Sequence, residues 1–344
     1  MFNPKTLFVV GAGASQEADL PTSATLRDDI VGQLNIAYEL TRLVSGDGQI
    51  ADSLIKYAKQ NGEDVRAYFH AASQLHAALP HAISIDNLID AHGHDPKIEL
   101  CGKLGIARSI LKAEAASKLK ARDSRKDLSP EPDLALLDRT WYRQFSGLLS
   151  ENVRKEKVAT IFENVSFIVF NYDRCVEYYL YHFLQRYYQI SDQEVRSLMG
   201  KLKILHPYGL VGQLPWQTTT GGTVPFGCDD GRSDLLRIAG QIQTFTEREK
   251  NQQFVDAICE EVTSADTIVF LGFAFHRQNM QLLFGATPKR PSHIYATAKG
   301  ISNSGVEAIQ KNLEGLSGSH QIRIGNQLSC AAFFSEFWYN LSGG

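Results

Sequence analysis

The most informative stretch of the sequence is Leu7-Phe8-Val9-Val10-Gly11-Ala12-Gly13-Ala14-Ser15. Its four apolar residues predict a buried strand, and its two glycines predict a tight turn that leads into a short helix. Glycines at 11 and 13 would let the backbone come close to a diphosphate, and the N–H groups at the helix start would favour negative charge there. Ser15 adds a hydroxyl donor. Gln16 stands at the third glycine position of the Gly-x-Gly-x-x-Gly fingerprint, so a plain tight turn stays open as the alternative.

Apolar runs elsewhere in the chain predict the other strands of a parallel sheet. Residues 165–170 and 267–271 are nearly continuous apolar runs, and each is followed directly by Asn or Gly. Such runs, apolar on both faces and rich in β-branched and aromatic residues, are typical of strands that helices cover on each side. Residues 202–205 and 293–296 are weaker strand candidates.

Helical patterns lie between these strands, at 25–40, 175–190 and 254–264. The alternation of strands and helices predicts an α/β protein with a doubly wound, Rossmann-like parallel sheet. Residues 46–160 are rich in Ala, Leu and Lys and contain no convincing strand. We therefore predict a single domain. It is divided into a Rossmann-like core at 1–45 and 161–300, a helical insertion at 46–160, and a C-terminal extension at 301–344 that packs on the core.

The composition is that of an ordinary globular protein. The 344 residues are 43% hydrophobic and 21% charged, and the net charge is −3. Because this charge attracts neither nucleic acid nor an anionic membrane, we expect no direct nucleic-acid partner and no membrane association. No stretch approaches the ~20 apolar residues of a membrane span, and the short apolar run near the N-terminus does not resemble a signal peptide. We expect a cytoplasmic protein.

The cysteines and histidines show no convincing metal-binding pattern. The five cysteines are scattered without a CxxC pair, which is unfavourable for a zinc ribbon or a thioredoxin-type site. His92 and His94 are close in sequence and suggest a pair of ligands. A surface loop is the simpler interpretation, because no further ligands accompany them. We therefore predict no metal.

Asn171 and Asp173 follow directly after the apolar run at 165–170. Open α/β sheets bind their ligands at the carboxyl ends of such strands. An amide and a carboxylate two residues apart are suited to hold ribose hydroxyls and a water molecule. A helix cap is the competing interpretation, since Asn and Asp commonly start helices and a helical pattern follows here.

Two later strand ends carry further candidates. His206, one of ten histidines, follows the weak strand at 202–205. Histidine is the side chain best suited to take a proton near neutral pH. Gly272 follows the run at 267–271, where a bare backbone permits close approach of a ligand. An ordinary turn after a buried strand also explains this glycine.

The order of these motifs resembles that of the sirtuins. Gly-Ala-Gly-x-Ser, Asn-x-Asp, a strand-end His-x-x-Gly and a strand ending in Gly follow one another as they do in that family. The chain is most similar to the sirtuin-like branch found in bacterial anti-phage defence proteins, in which Leu-Pro-Thr, here Leu20-Pro21-Thr22, replaces the Pro-Asp-Phe-Arg of the deacylases. The stretch Ser-Ile-Asp-Asn-Leu-Ile-Asp at 84–90 also resembles that branch. The resemblance covers 5–30, 84–92, 165–212 and 266–280.

The resemblance implies that the chain binds NAD and cleaves it. Thirteen residues are implied to contact NAD: Gly11, Ala12, Gly13, Ala14, Ser15, Leu20, Pro21, Thr22, Asn171, Asp173, Gly272, Phe273 and Phe275. Asn171 and Asp173 would position the nicotinamide ribose and a water molecule, and His206 would act as the general base. NAD is the substrate in this scheme.

The departures from the sirtuins bear on the reaction. Sirtuin deacylases carry a four-cysteine zinc ribbon that helps to shape the acyl-lysine cleft, and this chain has no CxxC pair to build one. It also has Thr22-Ser23-Ala24 in place of Asp-Phe-Arg, and His206-Pro207-Tyr208-Gly209 in place of His-Gly. With no acyl-lysine cleft, water is the natural nucleophile. This favours an NAD+ glycohydrolase over a protein deacylase or ADP-ribosyltransferase, and leaves a non-catalytic nucleotide-binding module as the other alternative.

Uncontrolled NAD hydrolysis would kill the cell, so the resemblance also implies regulation. We expect an effector of anti-phage defence that acts by NAD depletion. Its trigger would be homo-oligomerisation or a partner protein such as a HerA-type ATPase. The aromatic-rich segments at 178–188 and 333–339 are candidate contact surfaces, although core packing explains them more simply.

Overall fold

The computed structural model of the chain describes residues 2, 4–120, 131–217, 222–231, 233–245, 247, 251–285, 291 and 293–342. Parts of the predicted insertion and core, such as 121–130 and 286–290, lie outside the described residues. Within the described ranges, one parallel sheet contains the strands β1 (Thr6–Val10), β4 (Val165–Val169), β5 (Lys203–Leu205), β6 (Thr267–Leu271), β7 (His293–Thr297) and β8 (Ile322–Gly325). A separate antiparallel hairpin consists of β2 (Ala37–Glu39) and β3 (Arg42–Ser45).

The order of strands across the parallel sheet is β5-β4-β1-β6-β7-β8. Numbered by their appearance in the chain, these strands occupy the positions 3-2-1-4-5-6 of a Rossmann-like sheet. Phe8 in β1 pairs with Phe167 of β4 on one side and with Val269 of β6 on the other. The direction of winding reverses between β1 and β6. The predicted α/β, doubly wound fold class is confirmed.

Helices connect the strands and cover both faces of the sheet. The described α-helices are α1 (Ala12–Ser15), α2 (Ser23–Leu34), α3 (Gly48–Asn61), α4 (Val65–Ala78), α5 (Ile85–Ala91), α6 (Pro96–Ala116), α7 (Trp141–Ser150), α8 (Cys175–Tyr188), α9 (Asp192–Met199), α10 (Leu235–Ala239), α11 (Gln252–Ser264), α12 (Arg277–Phe284), α13 (Asn303–Ser317) and α14 (Cys330–Leu341). The predicted insertion, 46–160, contains α3 to α7 and no strand in its described part. None of the helices in the described ranges has both the length and the apolar character needed to cross a membrane.

Two hydrophobic clusters fill the space on either side of the sheet. Because strand side chains alternate in direction, Leu7 and Val9 of β1 enter one cluster, and Phe8 and Val10 enter the other. The first cluster includes buried residues of α2 to α6. The second includes buried residues of α7, α8 and α14. The helical insertion therefore shares its core with the sheet: α3 to α6 cover one face, and α7 packs on the other.

Helix α6 fixes the position of α5 within this segment. Asp95 caps α6 by accepting the N–H of Lys97 at 2.9 Å, and Pro96 takes the first helical position, where its missing N–H costs nothing. Gly102 faces the side chain of Ile89 in α5, and a Cβ on this glycine would lie 2.5 Å from the Ile89 Cδ1. The small residue thus lets α5 approach α6 closely.

The structure differs from the prediction at two places. The helix predicted at 25–40 is too long, because α2 ends at Leu34 and the hairpin begins at Ala37. The C-terminal extension also contributes a strand, since β8 pairs with β7 at the edge of the sheet. Arg323 interrupts the apolar pattern of β8, and the strand is only partly buried. Its sequence therefore lacks the double-sided apolar character of the central strands.

Candidate active site

A cavity of about 370 Å³ lies at the carboxyl ends of β1, β4 and β6. Doubly wound sheets bind their ligands at this position, where the strand order reverses. The volume falls within the range of about 300–1,000 Å³ that is typical of small-molecule sites. The predicted site residues that line the cavity are Gly11, Ala12, Pro21, Asn171, Asp173 and Phe273. The structure thus brings candidates from three strand ends together.

The glycines after β1 and β6 bring two turns into backbone contact. Gly11 N–H donates to the Leu271 carbonyl at 2.9 Å, and Gly13 N–H donates to the Gly272 carbonyl at 3.0 Å. A Cβ on Gly11 would lie 2.5 Å from the carbonyl oxygen of Gly272. Gly272 has a φ of +57°, and a Cβ there would overlap the backbone nitrogen of Ala14. The contact between the two turns therefore requires these glycines whether or not a diphosphate binds.

Ser15 holds the side chain of Asn171 at the cavity wall. Asn171 Nδ2 donates to Ser15 Oγ at 2.9 Å, and both residues are buried. The Ser15 hydroxyl also hydrogen-bonds the carboxylate of Asp173. The sequence predicted this hydroxyl as a donor to the ligand. In the structure it fixes the orientation of an amide that lines the cavity.

Asp173 is both a helix cap and a residue of the cavity wall. Its Oδ1 accepts the backbone N–H of Cys175 at 3.1 Å, at the start of α8. It also lines the cavity, and only 4% of the residue is exposed. Burial raises the pKa of Asp173, and the hydrogen bonds from Cys175 and Ser15 oppose this effect in part. The two interpretations weighed for the Asn-x-Asp motif are therefore compatible.

His206 contacts Glu177 and the backbone of Asn171. Its Nε2 lies 2.8 Å from Glu177 Oε1, and its Nδ1 lies 3.4 Å from the carbonyl oxygen of Asn171. The side chains of His206 and Glu177 are 8% and 3% exposed. Burial lowers the pKa of His206, but the Glu177 carboxylate, the Asn171 backbone and Asp173 together outweigh burial, so that the pKa is raised overall. His206 is not among the described residues that line the cavity, and the general-base role predicted for it stays a prediction.

Other predicted residues support the cavity without lining its described wall: Ala14, Leu20, Thr22 and Phe275. Leu20 is buried in the core on the α7 side of the sheet. Thr22 caps α2 by accepting the N–H of Thr25 at 3.4 Å. Phe275 packs against Phe273, with ring centroids 5.2 Å apart. These residues fix the turns from which the cavity is built.

The helical segment supplies a wall that the sequence did not predict. Asp86 of α5 lines the cavity, and its Oδ1 accepts a hydrogen bond from the hydroxyl of Tyr172. Burial raises the pKa of Asp86, whereas the hydrogen bond from Tyr172 and the charge of His276 act in the opposite direction. The resemblance of 84–90 to the defence branch was the only sequence signal for this wall.

Residues after β6 complete the polar part of the cavity. His276, Arg277 and Asn279 line it, and the hydroxyl of Tyr208 donates to Asn279 Oδ1. Arg277 is exposed and forms no ion pair with any carboxylate of the described ranges. These residues follow the predicted strand at 267–271 by only a few positions. Nothing in their spacing alone indicated a ligand.

A scan of the chain against models of protein families gives no match, and a search of curated proteins gives none either. In the described part of the chain, no group of three or more His, Cys, Asp or Glu side chains is arranged to hold a metal ion. His92 and His94 are exposed, with ring centroids 6.4 Å apart. The function of the cavity has to be inferred from its geometry.

Proposed function

We propose that the cavity binds NAD and that the protein hydrolyses the bond between nicotinamide and ribose, which gives nicotinamide and ADP-ribose. One observation carries the proposal. A cavity at the switch point of a Rossmann-like sheet has in its wall an amide, that of Asn171, which Ser15 holds in one orientation. An immobilised amide at such a place is suited to orient a ribose and a water molecule for reaction.

Aromatic side chains offer a surface for the nicotinamide ring. The ring centroid of Phe170 lies 5.1 Å from that of Phe273 and 5.9 Å from that of Tyr208. All three residues line the cavity. Apolar aromatic walls favour a planar aromatic ligand through burial and ring packing. This supports entry of the nicotinamide end into the cavity.

A cation beside the cavity supports binding of the diphosphate. Arg277 is the first residue of α12, lines the cavity and is exposed. Guanidinium groups bind phosphate oxygens through two parallel hydrogen bonds. Gly13 N–H and the Ser15 hydroxyl already have partners within the protein. The Gly11 N–H likewise donates to the Leu271 carbonyl. In our proposal the diphosphate therefore contacts Arg277 and the backbone at Ala12, rather than the whole turn predicted from the sequence.

The leaving group of the proposed reaction needs no proton in order to depart. When the bond from C1′ to nicotinamide breaks, its electron pair stays on the ring nitrogen, and nicotinamide departs as a neutral molecule. The protein has to hold the ribose and the water molecule in the reacting geometry. An amide takes no proton, so the role of Asn171 is orientation. His206 contacts the backbone of Asn171 and is itself held by Glu177, and in this way it positions the loop.

The biological setting of the activity is proposed from the sirtuin-like motifs. In this proposal the protein depletes NAD during anti-phage defence and is controlled by homo-oligomerisation or by a partner such as a HerA-type ATPase. An increase in nicotinamide release when the partner is added would support this form of control. An equal rate with and without the partner would contradict it.

Release of nicotinamide from NAD tests the activity. The purified chain is incubated with NAD, alone and with the proteins encoded beside it, and nicotinamide and ADP-ribose are separated and quantified. We expect release by the wild type and none by Asn171→Ala. Asn61→Ala, the same change at an exposed residue of α3, should keep it. Binding of NAD without release would favour the non-catalytic nucleotide-binding module, and absence of binding would refute the site.

A further inference from the structure

Asp86 places a carboxyl group in the cavity from outside the Rossmann-like core. It belongs to α5, which begins after Ser84, whose side chain accepts the N–H of Asn87 at 3.1 Å. Asp86 is half-buried and lines the same cavity as Asn171. No Lys or Arg of the described ranges forms an ion pair with it. A carboxyl group in a ligand cavity without such a partner is a candidate for proton transfer.

The carboxyl group of Asp86 is held in place by the loop that carries Asn171. Tyr172 follows Asn171 directly, is buried, and donates its hydroxyl to Asp86 Oδ1. Helix α5 is also tied to α12, because Gln278 Nε2 donates to Asp90 Oδ2 at 3.3 Å. These contacts fix Asp86 relative to the cavity-lining residues that follow β4 and β6.

His206 and Asp173, the titratable residues predicted to be catalytic, are engaged in structural contacts. His206 bonds to Glu177 and lies outside the described lining of the cavity. Asp173 accepts the backbone N–H of Cys175 at the start of α8, so its carboxylate caps a helix. Asp86 receives its hydrogen bond from a side chain that itself lines the cavity. It is the carboxyl group whose contacts best fit an acceptor of a substrate proton.

We propose that Asp86 is a catalytic residue that accepts a proton from the water molecule attacking C1′, and that Tyr172 is its positioning residue. This inference rests on the NAD hydrolysis proposed above. As the bond from C1′ to the nicotinamide nitrogen breaks, its electron pair goes to the ring. The oxygen of water bonds to C1′, one water proton passes to the Asp86 carboxylate, and the other stays on the new hydroxyl of ADP-ribose. Asp86 then releases its proton to solvent, so the reaction yields one proton overall.

The surroundings of Asp86 determine the pH at which it can act. The groups that face it are the hydroxyl of Tyr172, the imidazole of His276 and the phenol of Tyr208. Burial raises the pKa of Asp86 and moves it towards the range in which general bases work best. The base has to be deprotonated, so kcat should fall as the pH decreases through this pKa. Because the Tyr172 hydrogen bond lowers the pKa of Asp86, its loss should move the acidic limb of the profile to higher pH.

Three variants test the inference by kcat, KM and NAD affinity under conditions in which the wild type releases nicotinamide. We expect Asp86→Asn to lower kcat by on the order of 10²–10⁴-fold while NAD still binds, as for loss of a general base. Asp52→Asn removes the same charge at an exposed residue of α3, outside the described cavity wall, and should keep kcat. Tyr172→Phe should lower kcat by less than Asp86→Asn does, because the carboxylate stays, and should shift the acidic limb of the pH profile upwards.

Each alternative result has a distinct meaning. Wild-type kcat in Asp86→Asn would overturn the catalytic role and leave NAD hydrolysis standing. Weaker NAD binding with unchanged kcat would also overturn it, and would assign Asp86 to binding of a ribose hydroxyl. An unshifted pH profile in Tyr172→Phe would remove Tyr172 from the scheme. If the wild type releases no nicotinamide under any condition, the proposed function and this inference both fail.

Discussion

The variant Glu114→Gln should unfold at a much lower urea concentration than the wild type. Glu114 of α6 and Arg174, just before α8, are both 0% exposed. Arg174 Nε donates to Glu114 Oε1 at 3.0 Å, and its Nη1 donates to the carbonyl oxygens of Gly212 and Val224. Gly227 N–H donates to Glu114 Oε2 at 3.0 Å. The ion pair therefore ties the chain after β5 to the helical segment, next to the loop of Asn171 and Asp173.

The magnitude follows from the burial of both charges. Removing one partner of a buried ion pair costs about 3–5 kcal/mol, because the other charge stays buried without compensation. Glutamine keeps the size of the side chain and one carbonyl oxygen, so no cavity is created. We therefore expect the lower end, about 3 kcal/mol, for Glu114→Gln. That is a large part of a total stability of about 5–15 kcal/mol.

Urea unfolding monitored by circular dichroism measures this cost from the shift of the midpoint at constant slope. For a slope of about 3 kcal/mol per molar urea, the midpoint should fall by about 1 M. The matched control is Glu131→Gln, which breaks an ion pair with Arg186 whose side chains are 47% and 38% exposed. Its cost should stay below about 1 kcal/mol. Replacing both buried partners, by Glu114→Leu with Arg174→Met, should cost less than the sum of the single changes. Equal midpoints for the two glutamine variants would refute the reasoning.

Three other substitutions test the walls of the cavity separately. Ser15→Ala removes the acceptor of the buried Asn171 amide, so it should cost about 1–3 kcal/mol of stability in urea unfolding. It should also lower nicotinamide release, and unchanged release would show that the amide needs no such partner. Gly272→Ala introduces a Cβ at a φ of +57°. The left-handed backbone alone costs a residue with a side chain roughly 1–2 kcal/mol, and the overlap with the neighbouring turn should add to this loss of stability. A wild-type melting temperature would contradict the contact between the turns. Arg277→Ala should weaken binding of ADP-ribose in calorimetry, most strongly at low salt, whereas Arg66→Ala, at an exposed residue of α4, should not. Equal affinities of the two arginine variants would exclude Arg277 as a phosphate ligand.

The central strands were predictable because every residue in them is buried. β1 and β6 coincide with the apolar runs at 6–10 and 267–271, and both are buried along their whole length. β8 was not predicted, because its one-face apolar pattern consists only of Ile322 and Ile324, with Arg323 on the opposite face, and is too short to indicate a strand. The end of α2 was misplaced for a different reason. In the sequence, Ile36 and Tyr38 continue the helical spacing of apolar residues. In the structure, this part of the chain leads into and forms an exposed hairpin.

The site was predictable only where it follows the sheet. Asn171 and Asp173 were found because residues just after a central strand of a parallel sheet lie at its ligand-binding edge. Asp86 was not, since its partner Tyr172 is 86 residues away in sequence and the contact depends on how the helical segment packs. The general base predicted at His206 depended on a strand end as well, but the sequence did not reveal the neighbouring carboxylate of Glu177.

The glycine motif after β1 therefore identifies the switch point more firmly than it identifies a ligand. The contact of Gly11 and Gly13 with Gly272 accounts for these residues by backbone packing alone, and the same contact would form in a protein that binds no diphosphate. What distinguishes an NAD hydrolase from another protein with this sheet is the set of side chains that reach the cavity. In our proposal a base and a cation are needed there, and Asp86 and Arg277 supply them. Binding of NAD alone would therefore support the fold-based expectation, whereas release of nicotinamide that depends on Asp86 would establish the chemistry.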